Sequence, residues 1–246
     1  MKKIDVCLSP ELLHLYSLED QTVVIVDILR ATSCMVTGIA HGVESLIPVA
    51  TIEECKFHQC NGLIAAAERE GKKIDGFEID NSPFSYMNPE LKGKTIAMTT
   101  TNGTLAITKS LGAREILIGA FLNISALVKH LAAQQNDVLV VCAGWKGKVN
   151  LEDTLFAGAL VHKLKNHLKY ACDAPLLAET AYLSARENIF EYLKSSSHFN
   201  RLKKLNVMKD IEFCLKSDVY EVIPVLKESK LVKLELEEFQ TSRSVN

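Results

Sequence analysis

The stretch VVIVDILRATSCMVTGIAHGVESLIPV, residues 23–49, decides the reading of the fold. Four consecutive β-branched residues predict a buried strand at Val23–Val26. A helix-length segment at Ser33–His41 and a second apolar run at Ser45–Val49 then complete a β-α-β unit. The same order of strand, hydroxyl-rich turn, helix, glycine and strand returns in TIAMTTTNGTLAITKSLGAREILIG, residues 95–119. In register, Asp27 to Thr32 of the first copy faces Thr99 to Thr104 of the second, the pattern of a possible internal pseudo-duplication.

Further strands are predicted at Lys3–Cys7, Leu63–Ala66, Thr95–Met98, Glu115–Ile118 and Val138–Cys142. Most are apolar on both faces, which suits a largely parallel or mixed sheet covered by helices on either side. Helices are predicted at Ile52–Gln59, Gly103–Leu111, Ile124–Gln134, Leu151–Lys169, Pro175–Lys194, Ser197–Leu205 and Met208–Leu215. With no low-complexity linker, the expectation is a single α/β domain over residues 1–246, more helical from about residue 175.

Composition narrows the class. Over 246 residues, 48% are hydrophobic and the net charge is −2, so a broad electrostatic footprint for nucleic acid is not expected. Seven cysteines, odd in number and without a CxxC spacing, predict reduced thiols rather than disulfides or a zinc site. No window resembles a signal peptide or a membrane span, so a cytoplasmic protein is expected.

In open α/β sheets ligands bind beyond the carboxyl ends of strands, which directs attention to three turns. In the first, Asp27 ends an apolar strand, and Arg30, Thr32 and Ser33 follow. A carboxylate there is costly to ionise unless a cation or hydrogen bonds stabilise it. Mg²⁺ with Arg30 nearby would do so, as would a structural Asp–Arg pair with Thr32 or Ser33 capping the helix. In the second, Thr99 to Thr104 offers hydroxyls, Asn102, Gly103 and the N–H groups of a helix start, a donor set suited to an anionic oxygen or to a plain capped turn. The third runs from Cys142 through Gly144, Trp145, Lys146 and Lys148 to Glu152 and Asp153, adjacent acids that suit either a helix dipole or a hard divalent cation. Between them lie Glu68 and the rigid turn Asn81-Ser82-Pro83. The seven histidines show no HxxxH or HxH spacing and are read as surface or half-buried residues, and Cys142 as an inert buried thiol. No Walker sequence and no G-x-S-x-G elbow occurs.

Taken together, VVIVDILRATS, AAEREGKKIDGFEIDNSP, TTTNGT, CAGWKGKVNLEDTLFAG and the tail SSSHFNRLKKLNVMKDIEFCLKSDVYEVIPVL resemble, in order and spacing, the 2-phosphosulfolactate phosphatases of coenzyme M biosynthesis. The chain departs from the family pattern at Ala67, where glycine is typical, and in FEIDNSP, where FDLGNSP is expected. The resemblance implies a three-layer α/β/α fold and Mg²⁺-dependent hydrolysis of (2R)-2-phospho-3-sulfolactate to (2R)-3-sulfolactate and phosphate. Related 2-phospho acids, such as phospholactate or phosphoglycolate, are the alternative substrates, and a non-catalytic organic-anion binding protein is the alternative class.

A substrate so anionic needs metal, guanidinium and many N–H or hydroxyl donors. The expected catalytic set is Asp27, Arg30 and Asp153, with Asp27 either nucleophile or metal ligand. Metal ligands are expected among Asp27, Glu68, Glu152 and Asp153. Substrate contacts are expected from Arg30, Thr32, Ser33, Asn81, Ser82, Thr100, Thr101, Asn102, Gly103, Thr104 and Gly144. Haloacid-dehalogenase-type phosphatases carry a second aspartate two positions after the first, and here that position is Leu29, so their acid–base pair is absent. A homodimer is the default assembly for an enzyme of this size.

Overall fold

The computed structural model describes residues 2–235. In chain order the regular elements are β1 (Lys3–Cys7), β2 (Thr22–Val26), α1 (Ala31–Ala40), β3 (Ser45–Pro48), α2 (Ile52–Cys60), β4 (Ile64–Arg69) and β5 (Lys72–Lys73). There follow β6 (Thr95–Thr99), α3 (Gly103–Lys109), β7 (Glu115–Gly119), α4 (Ile124–Ala133), β8 (Val138–Cys142), α5 (Leu151–Leu164) and β9 (Lys169–Tyr170). The chain closes with α6 (Asp173–Ala185), α7 (Ile189–Leu193), α8 (Ser197–Lys203), α9 (Met208–Cys214), β10 (Pro224–Lys227) and β11 (Lys230–Lys233).

These strands form one mixed sheet in the order β5-β4-β6-β3-β11-β10-β7-β2-β8-β1-β9. Two parallel halves, β4-β6-β3 and β7-β2-β8-β1-β9, are joined by the antiparallel β10–β11 hairpin, through the pairs Val225–Leu117 and Leu231–Leu46. All five residues of β2 and of β8 are buried, as their apolar sequences require. Each buried Val or Ile contributes about 1.5–3 kcal/mol relative to exposure.

The sequence echo has a counterpart in the strand order: β2 lies between β7 and β8, and β6 between β3 and β4. Four strands separate β2 from β6, yet a Cβ added at Gly103, after β6, would lie 2.8 Å from the Cβ of Ala31, after β2. The sheet therefore curls to bring the carboxyl ends of its two halves together. On the enclosed side α1 and α3 share one core with Val23, Ile25, Ile96 and Met98. Outside, α4, α5 and α6 cover Val24, Val26 and Val140, and α2 covers Ala65 and Ala97. The result is a three-layer α/β/α arrangement.

Two expectations need correction. The helix predicted over Leu151–Lys169 ends at Leu164, and Lys169–Tyr170 pairs with β1 as a short strand. The helix predicted over Pro175–Lys194 divides because the Asn188 side chain accepts from the Glu191 N–H at 3.1 Å, capping a new helix. The C-terminal segment is mostly helical, as expected, but it also contributes two strands, β10 and β11, to the middle of the sheet, and its helices share a core with β1, β2 and β8 through Ala178, Leu193, Phe199 and Leu202. No helix among the described residues is long and apolar enough to cross a membrane, and all seven cysteines are free thiols.

Candidate active site

The carboxyl ends of β2, β4, β6 and β8 meet at one pocket lined by Asp27, Leu29, Arg30, Glu68, Gly71, Asn81, Asn102, Trp145, His198, Arg201 and Leu202. The space left for water among these side chains is about 20 Å³, roughly one water's room, and the pocket is partly open to solvent.

Asp27 is half-buried at the end of β2, and its backbone is fixed by hydrogen bonds to Thr32 rather than by a charged partner. Its N–H donates to Thr32 Oγ1 at 3.1 Å and its carbonyl accepts from the Thr32 N–H at 2.9 Å. Ser33 Oγ donates to the Ile28 carbonyl at 2.8 Å. Thr32 and Ser33 thus close the turn and do not line the pocket. Burial pushes the Asp27 carboxyl up to about 7, and the charges of Glu68 and Glu152 add to the rise, against the opposing effects of His198 and the Ala31 N–H.

Asp153 joins two strand ends: its carboxylate accepts from the Ile28 N–H and from the Gly144 N–H, both at 3.1 Å. Burial first, then the nearby Glu152 and Asp27 charges, push its carboxyl well above the ordinary carboxylate range. Gly144 is at φ +60°, and a Cβ there would meet the Lys148 carbonyl oxygen at 2.3 Å, so its role is to let the loop turn. Glu152, fully buried, bonds His198 Nδ1 with one oxygen, and its other oxygen has no hydrogen-bond partner.

The hydroxyls of the second turn are largely engaged within the protein. Thr100 Oγ1 accepts from the Thr104 N–H at 3.2 Å, and Thr104 Oγ1 donates to the Thr100 carbonyl at 3.1 Å, a reciprocal clasp at the start of α3. Thr101 donates to Glu68 through its hydroxyl at 3.2 Å and its N–H at 3.4 Å, and the Gly71 N–H also donates to Glu68. Asn102 reaches the pocket while its Oδ1 accepts from the Lys146 N–H at 3.3 Å.

Arg30 is buried and held on two sides, by an ion pair with Asp210 and by donation to the Gly71 carbonyl at 3.0 Å. Asn81 is buried with Oδ1 unpartnered. Ser82, by contrast, starts a 3-10 turn and donates its N–H to Asp80 at 3.0 Å.

Of the residues selected from the sequence, the pocket collects Asp27, Arg30, Glu68, Asn81 and Asn102. Thr32, Ser33, Ser82, Thr100, Thr101, Gly103, Thr104, Gly144, Glu152 and Asp153 do not line it. Among the described residues no set of three His, Cys, Asp or Glu side chains converges on a metal position, so the four expected acids do not form one ligand shell.

The reading of the histidines missed His198, which lies in the pocket wall with its ring stacked near Trp145 at 6.0 Å. Arg201 was also missed; its guanidinium lies 3.6 Å from the Trp145 ring centre. The available signal was their spacing: three residues apart on a helix, they share a face. Cys142 is buried, and its thiol is pushed well above the ordinary range by burial, as an inert core thiol requires.

A buried acidic cleft flanked by arginines, at the strand ends of a three-layer α/β/α sheet, is the architecture of an enzyme that handles small anions. The chain is a phosphoric monoester hydrolase and belongs to the 2-phosphosulfolactate phosphatase family: the family model described as 2-phosphosulpholactate phosphatase matches residues 7–229. Relatives named probable 2-phosphosulfolactate phosphatase include one from Thermotoga petrophila, 41% identical over 224 residues, covering 91% of this chain and 95% of the relative. Others are from Caldanaerobacter subterraneus, 37% identical with 85% and 89% covered, and Clostridium acetobutylicum, 36% identical with 90% and 96% covered.

Proposed function

We propose that the protein hydrolyses (2R)-2-phospho-3-sulfolactate to (2R)-3-sulfolactate and phosphate with Mg²⁺ bound. The observation that carries this reading is one pocket in which the Asp27 and Glu68 carboxylates meet the Arg30 and Arg201 guanidiniums. Cleavage of a phosphate monoester breaks the bond from phosphorus to the ester oxygen and transfers the phosphoryl group to water, directly or by way of a side chain that water then frees, while a proton passes to the departing oxygen to give the alcohol. It calls for positioning and charge neutralisation more than for elaborate covalent chemistry.

The donor chemistry fits magnesium. Mg²⁺ takes oxygen ligands, usually one or two carboxylates with several waters and substrate oxygens, and so needs no closed protein cage. Asp27 and Glu68 would hold it, with the unpartnered Asn81 Oδ1 as a third oxygen. When bound, the ion neutralises charge on the phosphoryl oxygens. Arg30, fixed by Asp210 and Gly71, orients the phosphate against Asp27 through its remaining N–H groups. Thr101 keeps the Glu68 carboxylate aimed, and Asp153 keeps the ends of β2 and β8 in register.

The test is phosphate release from (2R)-2-phospho-3-sulfolactate, phospholactate and phosphoglycolate, with Mg²⁺ and after EDTA. The sulfonated ester should have the highest kcat/KM, and EDTA should abolish turnover until Mg²⁺ is restored. Activity intact in EDTA overturns the metal assignment. Tight anion binding without turnover of any ester would make the protein a binding protein. A phosphoenzyme trapped by rapid quench, and missing in Asp27→Asn, would assign Asp27 as nucleophile; none trapped would assign direct attack by water.

A further inference from the structure

The two arginines of the pocket are held in different ways. Arg30 is tied by the Asp210 carboxylate and the Gly71 carbonyl. Arg201, by contrast, forms no ion pair among the described residues, and its Nη2, shielded from solvent, has no hydrogen-bond partner. What holds Arg201 is a flat surface: its guanidinium lies 3.6 Å from the centre of the Trp145 ring. Stacking fixes the plane of a guanidinium without consuming its in-plane donors. With no protein acceptor on its Nη2, Arg201 keeps an N–H free for an anionic oxygen that enters the pocket.

We infer that Arg201, clamped on Trp145, is the receptor for the substrate's sulfonate and sets the preference for sulfonated 2-phospho acids. This assignment rests on the phosphatase reading above and adds a division of labour to it. The phosphate, a compact and strongly charged group, belongs at the carboxylate end with Asp27, Glu68 and Arg30. A sulfonate is a delocalised, weakly basic anion with three equivalent oxygens. Its natural partner is the more weakly hydrated cation, a guanidinium rather than an ammonium, presented on an aromatic face. Trp145 acts as a positioning residue: it keeps the Arg201 plane in the pocket wall without itself bonding the anion.

The experiment compares Arg201→Gln and Arg201→Lys with the unaltered protein on (2R)-2-phospho-3-sulfolactate and on phospholactate, which lacks the sulfonate. Loss of a charge-assisted contact should lower the ratio of the two kcat/KM values about 10- to 100-fold in Arg201→Gln, mainly through KM for the sulfonated ester. Arg201→Lys, which retains charge but not the stacked plane, should show a smaller drop. Trp145→Leu should lower the same ratio while Arg201 remains in the chain, a change that general loss of packing would not produce. An equal fall for both esters, or no fall, overturns the assignment. Calorimetric binding of (2R)-3-sulfolactate and of lactate separates this result from failure of the phosphatase reading. If no ester is hydrolysed but Arg201→Gln weakens sulfolactate binding about 10-fold or more with lactate binding unmoved, the receptor assignment stands and the hydrolytic reading falls. If both acids are weakened alike, or neither is, the receptor assignment falls.

Discussion

The turn after β2 and the turn after β6 begin from similar sequences, a strand running into hydroxyl-rich residues and a short helix, and they meet at the same place. Their side chains serve opposite ends. The first sends charge into the pocket, Asp27 and Arg30, and spends its hydroxyls on closing the turn behind them. The second sends in Asn102 alone, and its threonines clasp one another or steady Glu68. Gly103 gives Asp27 room: a Cβ there would lie 3.1 Å from Asp27 Oδ2 and 2.8 Å from the Cβ of Ala31. One βα turn brings charge to the pocket and its echo forms the mould around it.

The comparison makes unequal predictions for the two turns. Asp27→Asn keeps shape and hydrogen-bonding capacity but removes the charge, so kcat should fall about 10³-fold or more. Since burial and neighbouring acids already disfavour that charge, the melting temperature should hold or rise. A variant with kcat within about tenfold of the original would show that the first turn does not present the reactive group. Next in size is Gly103→Ala. The added methyl must displace Ala31 or the Asp27 carboxylate, at a cost of about 1–3 kcal/mol in unfolding free energy, with a fall in kcat as well. Denaturant unfolding and steady-state rates on the same preparation check both. Normal stability would mean that the two turns do not press against each other.

How far this arrangement could be read from the sequence depends on whether a residue's role is local. The strand before Asp27 announces itself because five buried positions in a row leave no polar face. The placement of Arg30, Glu68 and Asn81 near Asp27 followed from the strand-end rule and from the matching blocks. The β10–β11 hairpin did not, because its sequence PVLKESKLVK, residues 224–233, is short and lysine-rich, and each strand touches its outer neighbour by one paired residue. Only the curled sheet makes room for it. His198 and Arg201 gave only the spacing that puts them on one face: nothing in SSHFNRLK fixes which way α8 turns that face, and the packing of Phe199 and Leu202 in the core decides it. The hydroxyls misled in the other direction. Threonines in a turn carry the same composition whether they bind a ligand or the adjacent backbone, and only geometry distinguishes the two.

Thr104→Val is the smallest change that separates those two uses. Valine keeps the volume and the branched shape, so the core beneath α3 should not rearrange. The clasp to Thr100 loses the bond from Thr104 Oγ1 to the Thr100 carbonyl, and the Thr100 N–H loses its acceptor at 3.4 Å. Both groups are buried, so stability should fall by about 1–2 kcal/mol. If the second turn only moulds, kcat/KM per folded molecule stays within about twofold, since Thr104 lies behind the pocket wall. If the turn binds phosphate oxygens as its composition suggested, KM rises tenfold or more while the melting curve moves little. The sign of that contrast, stability lost with affinity kept or affinity lost with stability kept, tells whether the echo of the charged turn has become scaffold.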